Sequence, residues 1–127
     1  MPDPKPRDLC ERTFLFACEI VRFCRVLVLQ PGAPRQIAAQ LLKAGTSIGA
    51  NTEEAKVAYS RREFASKNSI VLRECHETRY WLRLLAATEM TTSEAIGPLL
   101  QESNELVAIF TVTVRRAKLP KSPSTPE

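Results

Sequence analysis

The chain is 127 residues long, 44% hydrophobic and 25% charged, with a formal charge of +4. Length and composition describe one globular domain, large enough to bury a core without a metal or a disulfide framework. The modest basic excess permits attraction to nucleic acid or acidic partners without demanding it, and no stretch reaches the ~20 apolar residues of a membrane span.

The prolines concentrate in two polar tails, at Pro2, Pro4 and Pro6 and at Pro120, Pro123 and Pro126. Residues 1–7 and 119–127 are therefore expected to be disordered tails around a helical domain over 8–118. The start of the chain lacks the apolar core of a secretory signal, so the expected location is the cytoplasm.

The first predicted helix runs from Asp8 to Leu29. Asp8 suits the N-cap, and Glu11 three residues later completes a capping-box-like pair. Wound at a helical period, Phe16, Ile20, Phe23, Cys24, Leu27 and Val28 share one side, and Glu11, Arg12, Glu19, Arg22 and Arg25 share the other. Leu15 and Val26 fall on the charged side, which is more apolar surface than one neighbouring layer requires. Pro31-Gly32-Ala33-Pro34 then breaks the chain.

The second helix is predicted over Pro34 to Ala58, with Pro34 tolerated in the first turn. Ile37, Leu41, Ala44, Ile48 and Ala55 form its apolar stripe. Gly45 and Gly49 each cost about 1 kcal/mol of helix propensity against alanine. Close approach of a neighbouring helix, or a bend, would compensate.

The third helix is predicted over Arg61 to Glu89, opened by a capping box of Ser60 and Glu63. One face carries Phe64, Asn68, Val71, Cys75, Leu82 and Leu85. A separate arc carries Ile70, Tyr80, Trp81 and Leu84. One arc suffices for a bundle core, so the second is assigned to a neighbouring subunit.

The fourth helix follows the capping signature Thr91-Thr92-Ser93-Glu94, with a kink or restart expected at Pro98. Leu99, Leu100, Leu106, Val107, Phe110 and Val114 carry its apolar stripe. Thr111-Val112-Thr113-Val114 suits a strand when taken alone, but the preceding helical spacing and the lack of a partner strand decide for helix. Arg115, Arg116 and Lys118 complement the C-terminal dipole. The whole reads as all-α, an antiparallel up-down four-helix bundle.

The residues Leu41-Leu42-Lys43-Ala44, Ser47-Ile48-Gly49-Ala50-Asn51, Glu53-Glu54-Ala55 and Ser60-Arg61-Arg62-Glu63-Phe64, followed by Leu72 to Glu77, resemble a small bacterial family. These are the four-helix-bundle proteins encoded in intervening sequences of 23S ribosomal RNA genes (S23-type), a family that includes the accessory variability protein of diversity-generating retroelements. The resemblance spans most of residues 8 to 117. It implies a bundle that assembles into a homo-oligomeric ring, typically a pentamer, with no enzymatic activity established. Retroelement members are described as basic adaptors that bind a reverse transcriptase and nucleic acid.

Ser47, Asn51 and Glu54 line one stripe of the second helix at spacings of i, i+4 and i+7. Read structurally, they form a polar network with the third helix, Glu54 pairing with an arginine such as Arg79 and Asn51 bonding across beside Asn68. The competing reading is a ligand- or RNA-contacting row. Arg61 and Arg62 stand at a helix start, where positive charge opposes the dipole, and this invites a phosphate or a partner. Arg22, Arg25, Arg115 and Arg116 are placed with them as one nucleic-acid or partner surface.

Catalytic patterns fail on spacing. His76 follows Arg73 too closely for a helical-bundle ribonuclease pair, and the repeated Glu-x-x-His of di-iron bundles is absent. A hydrolase would rest on Glu54 alone. Cys10, Cys18, Cys24 and Cys75 form no Cys-x-x-Cys pair, so neither a metal nor a cofactor is expected, and the thiols are expected free. The function that follows is a non-enzymatic oligomeric scaffold or adaptor with RNA or a protein as partner. A basic accessory protein of a reverse transcriptase is the alternative.

Overall fold

The structure, a computed structural model, describes residues 5–120; the outer parts of both expected tails, 1–4 and 121–127, lie outside the described residues. Four helices account for nearly all of it: α1 (Leu9–Leu27), α2 (Ala33–Lys56), α3 (Arg61–Ala87) and α4 (Ser93–Lys118). This is an all-α four-helix bundle.

Each start is set by local chemistry. Asp8 caps α1 by accepting from the Cys10 amide at 2.9 Å. Ser60 caps α3 by accepting from Glu63 N at 3.0 Å, and the Glu63 carboxylate returns to the Tyr59 amide at 3.1 Å. Thr92 caps α4 through the Ala95 amide. These bonds satisfy amides that the first turn leaves without intrahelical partners.

Three ends fall short of the sequence expectation by two residues each: α1 stops at Leu27, α2 at Lys56 and α3 at Ala87. After α3, Glu89 takes a left-handed φ of 57°. Its amide bonds the Ala86 carbonyl, and the Met90 amide reaches the Leu85 carbonyl. That pair of bonds is a Schellman termination, here with glutamate at the site glycine usually fills. α4 runs unbroken through Pro98, so the expected restart is not there. Proline in the second turn removes one backbone bond and leaves the rest of the ladder intact.

Neighbours in sequence are neighbours in space: α1 packs on α2, α2 on α3, and α3 on α4. The closing seam between α1 and α4 is much thinner. The first turn of α1, the last turns of α2, the start of α3 and the end of α4 line one common cavity. Alternating helix ends thus meet, as up-down connection requires.

The core runs through Phe16, Ile20, Leu41, Ile48, Val71, Leu82, Leu85, Leu106 and Phe110, all essentially inaccessible. The α1–α2 contact depends on missing side chains. A Cβ on Gly45 would lie 2.8 Å from Ile20 Cγ2, and one on Gly49 would lie 3.3 Å from the Thr13 carbonyl oxygen. Close approach, the first of the two expected compensations, therefore accounts for these glycines.

Candidate nucleic-acid interface

The up-down topology sorts the six arginines assigned to one surface into two groups. Arg61 and Arg62 open α3, and Arg115 and Arg116 lie in the last turn of α4. Arg61 reaches across and donates to the Leu119 carbonyl, the C-cap of α4. That bond fixes the start of α3 against the end of α4. Lys56, in the last turn of α2, completes the same end of the bundle. Arg22 and Arg25 do not belong here. Arg22 sits beside Thr91 and Ala95 at the opposite end. At 1.5 Å per residue, they are displaced along α1 by about 20 Å from its first turn. Similar sequence chemistry therefore ends up on separate surfaces.

Among the described residues, Lys56, Arg61, Arg62, Arg115, Arg116 and Lys118 make no ion pair with a carboxylate. Carboxylates share this end: Asp8 and Glu63 serve as caps, Glu53 lies near Cys10 with Lys56, and Glu54 is paired with Lys67. The six cations thus have no direct carboxylate partner, at one end of a chain whose overall charge is small.

The polar row on α2 is organised differently from the network expected of it. Glu54 pairs with Lys67 at 2.7 Å, and Arg79 instead contacts His76 Nδ1 at 3.2 Å on its own helix. The reason is register. α2 and α3 run in opposite directions from the short link at 57–60, so Glu54 faces the beginning of α3, and Arg79 lies three turns further on. Asn51 Nδ2 donates to the Ser47 carbonyl at 2.9 Å, and Ser47 Oγ donates to the Lys43 carbonyl at 2.7 Å. Asn68 Nδ2 likewise donates to the Phe64 carbonyl at 2.9 Å. Each side chain turns back on its own helix, and no chain of bonds crosses between α2 and α3 through them.

A larger charged cluster ties α1 to α4, and its arginine is one the sequence pattern assigned to solvent. Arg12 meets Glu102 with both ends of its guanidinium, Nε to Oε2 at 2.8 Å and Nη2 to Oε1 at 2.7 Å. Nη2 also reaches Glu105 at 3.0 Å, and Lys5 Nζ joins both carboxylates at 2.7 and 3.0 Å. The hydrogen bond from Lys5, with Gln101 and Arg12 beside it, holds the Glu105 carboxyl down to about 2. Hydrogen bonding to Glu102 raises the Arg12 guanidinium above its ordinary value. The sequence signal was available: Arg12 stands one turn before Phe16, on the flank of the buried stripe.

Two apolar surfaces lie on the outside. In the arc assigned to a subunit contact, Tyr80 is 55% exposed, while Ile70, Trp81 and Leu84 are half-buried. Trp81 packs against the core of its own bundle. Tyr80 and Trp81 meet edge to face at 5.1 Å. The second surface was missed. Phe14 and Val21 on α1 and Val28 at its C-cap recur every seven residues and are exposed, and Leu42 of α2 shares a groove with Val21 and Val28. The repeat of seven was the signal that would have found it.

The thiols are free; burial pushes Cys24 up to about 11 and Cys75 up to about 12. Among the described residues, no group of three or more histidines, cysteines and carboxylates could hold a metal ion. No described helix is long and apolar enough to cross a membrane.

Comparison with known proteins agrees with the fold. The family model described as "23S rRNA-intervening sequence protein" matches residues 7–111. Among solved structures, the chain is similar to a protein of unknown function from the S23 ribosomal protein family of Bacteroides thetaiotaomicron. The identity is 35%, the TM-score 0.76, and the match covers 84% of this chain and 98% of the other. No curated protein matches. The match over most of the chain, on a bundle of the same architecture, places this protein in the 23S rRNA intervening-sequence protein family.

Proposed function

We propose that the chain is a non-enzymatic, self-associating adaptor that binds RNA through the basic end of its bundle. The observation that carries this is the clasp from Arg61 to the C-cap of α4. It joins the start of α3 to the end of α4, and Lys56 of α2 lies at the same end; among the described residues these cations pair with no carboxylate. Glu54, the remaining candidate for acid–base work, is exposed and bound to Lys67. It lacks the burial that tunes a carboxylate for proton transfer. An accessory role beside a reverse transcriptase would use the same basic end for nucleic acid and an apolar face for the protein.

Filter binding to a structured RNA across a salt series tests the reading. Affinity is expected to fall steeply with salt, because each phosphate contact releases counterions. The double substitution Arg61→Glu and Arg62→Glu should weaken binding at every salt concentration and flatten the slope. Reversal of Arg22 and Arg25 should do neither. Absence of binding at low salt would remove the RNA role.

Self-association is supported by the exposed apolar groove between α1 and α2 and by the stripe around Tyr80. Two unlike patches on one chain suit head-to-tail contact, which closes into a ring when the rotation allows; a pentamer is the proposed form. Light scattering at micromolar concentration should report an oligomer. A monomer at that concentration would sink the ring.

A further inference from the structure

The basic end is not only a charged surface. Between the helix ends lies a cavity of about 310 Å³, within the range of small-molecule pockets, which begins near 300 Å³. Its walls are mostly apolar, formed by Leu9, Ala55, Phe64 and Phe110, with Lys56 and the capping Asp8 also lining it. Phe64 is 38% exposed, although it lies on the face α3 turns to the core. Part of this side chain is therefore open to solvent beside the cavity.

At the floor lies Asn68, only 3% exposed. One hydrogen of its Nδ2 is used on the Phe64 carbonyl. Among the described residues, the other Nδ2 hydrogen and Oδ1 have no partner. That leaves one donor and one acceptor of the carboxamide free beside the cavity. A ligand that presents a donor and an acceptor side by side would engage both. The edge of a nucleobase does this, and asparagine meets adenine in that bidentate way. Bases of single-stranded RNA are bound by stacking on aromatic rings and by hydrogen bonds to their edges.

We propose that this cavity receives one unstacked base of the bound RNA strand, with Phe64 stacking on its face and Asn68 reading its edge. Lys56 and Arg61 stand where the flanking phosphates would run. The inference rests on the RNA reading above and adds to it a base-dependent component that the charged surface alone cannot supply.

The test compares a short oligoadenylate with an abasic ribose-phosphate oligomer of equal length, by fluorescence anisotropy on the full chain. The abasic oligomer is expected to bind about tenfold more weakly, in line with the ~1–3 kcal/mol found for base stacking, with a similar salt slope. Phe64→Leu keeps an apolar side chain at a partly exposed site and should remove most of that difference. Asn68→Leu, close in shape and uncharged but without the carboxamide, should do the same, and neither substitution changes the charge that holds the abasic oligomer.

Equal affinity for the two oligomers with the salt slope intact would overturn the base pocket and leave the charged interface standing. Failure of both to bind would overturn both. Equal affinity in a chain whose self-association is abolished by Phe64→Leu would seat a side chain of a second copy in the cavity, and the proposal would again fall.

Discussion

Replacing Arg12 by methionine tests how the bundle is closed. The α1–α4 seam has little backbone contact, so its stability depends on a few long side chains. The Arg12 and Glu102 side chains are 13% and 10% exposed. Methionine keeps the aliphatic stem but removes the guanidinium, leaving Glu102 in a largely buried setting. Breaking such a pair from one side typically costs about 3–5 kcal/mol. Lys5 remains 2.7 Å from Glu102, though it is itself 44% exposed, so we expect the lower figure, about 3 kcal/mol. Urea unfolding followed by far-UV circular dichroism would show a lower midpoint at unchanged slope. Adding Glu102→Leu should restore most of the loss, because an apolar pair can replace a buried ion pair at little cost. A loss below about 1 kcal/mol for Arg12→Met would refute the idea that this cluster holds the seam. The same cluster fixes the acid response. The folded Glu105 carboxyl sits at about 2, below its ordinary 4.5. Its contribution is therefore complete above about 4.5 and is lost as pH falls toward 2.

Other outcomes follow from packing and titration. Gly97→Ala meets nothing outside its own chain neighbours, but the Pro98 ring crowds the Cβ of a helical residue before it, so the propensity gain is offset and stability should change by less than about 0.5 kcal/mol. Gly45→Ala gains the same propensity but drives a methyl into Ile20, and should destabilise by about 1–2 kcal/mol net; thermal melts of the pair would show the larger drop for Gly45→Ala. Thr78 is wholly buried and its Oγ1 has no partner among the described residues. Thr78→Val should therefore raise stability by about 1 kcal/mol, and a loss of that size in urea unfolding would mean the hydroxyl is bonded. Cys24 and Cys75, pushed up to about 11 and about 12 by burial, should resist iodoacetamide at pH 8, with mass spectrometry finding half-buried Cys18 alkylated first.

The parts of the fold that were legible depend on short-range chemistry. Asp8, Ser60 and Thr92 announce helix starts because a cap is a local hydrogen bond. The stripes of Leu41, Ile48, Val71 and Leu85 announce faces because burial follows the helical period. Glu89 was misread because its left-handed φ is imposed by the Schellman bonds to Ala86 and Leu85, and nothing about glutamate advertises it. The ion pairs failed for a different reason. Arg12 and Glu102 are ninety residues apart, and their meeting depends on the rotation and register of two helices with little backbone contact. Glu54 was given the wrong partner because helix periodicity says which side a residue faces, and only the antiparallel register says what stands opposite.

That register also decides what the charge of this protein can do. A formal +4 spread over the sequence is a weak argument for binding a polyanion. Folding places the end of α2, the start of α3 and the end of α4 together, so Lys56, Arg61, Arg62, Arg115, Arg116 and Lys118 become neighbours although sixty residues of sequence lie between the first and last. Meanwhile Glu102 and Glu105 are committed to the α1–α4 seam, and Glu54 is paired with Lys67. The seam sets Lys5 and Arg12 against Glu102 and Glu105, so it is locally neutral and the net charge of the chain resides outside it. The cluster that closes the bundle and the surface proposed to bind RNA are separate groups of side chains, and substitutions in the first should change stability without changing the salt slope of the second.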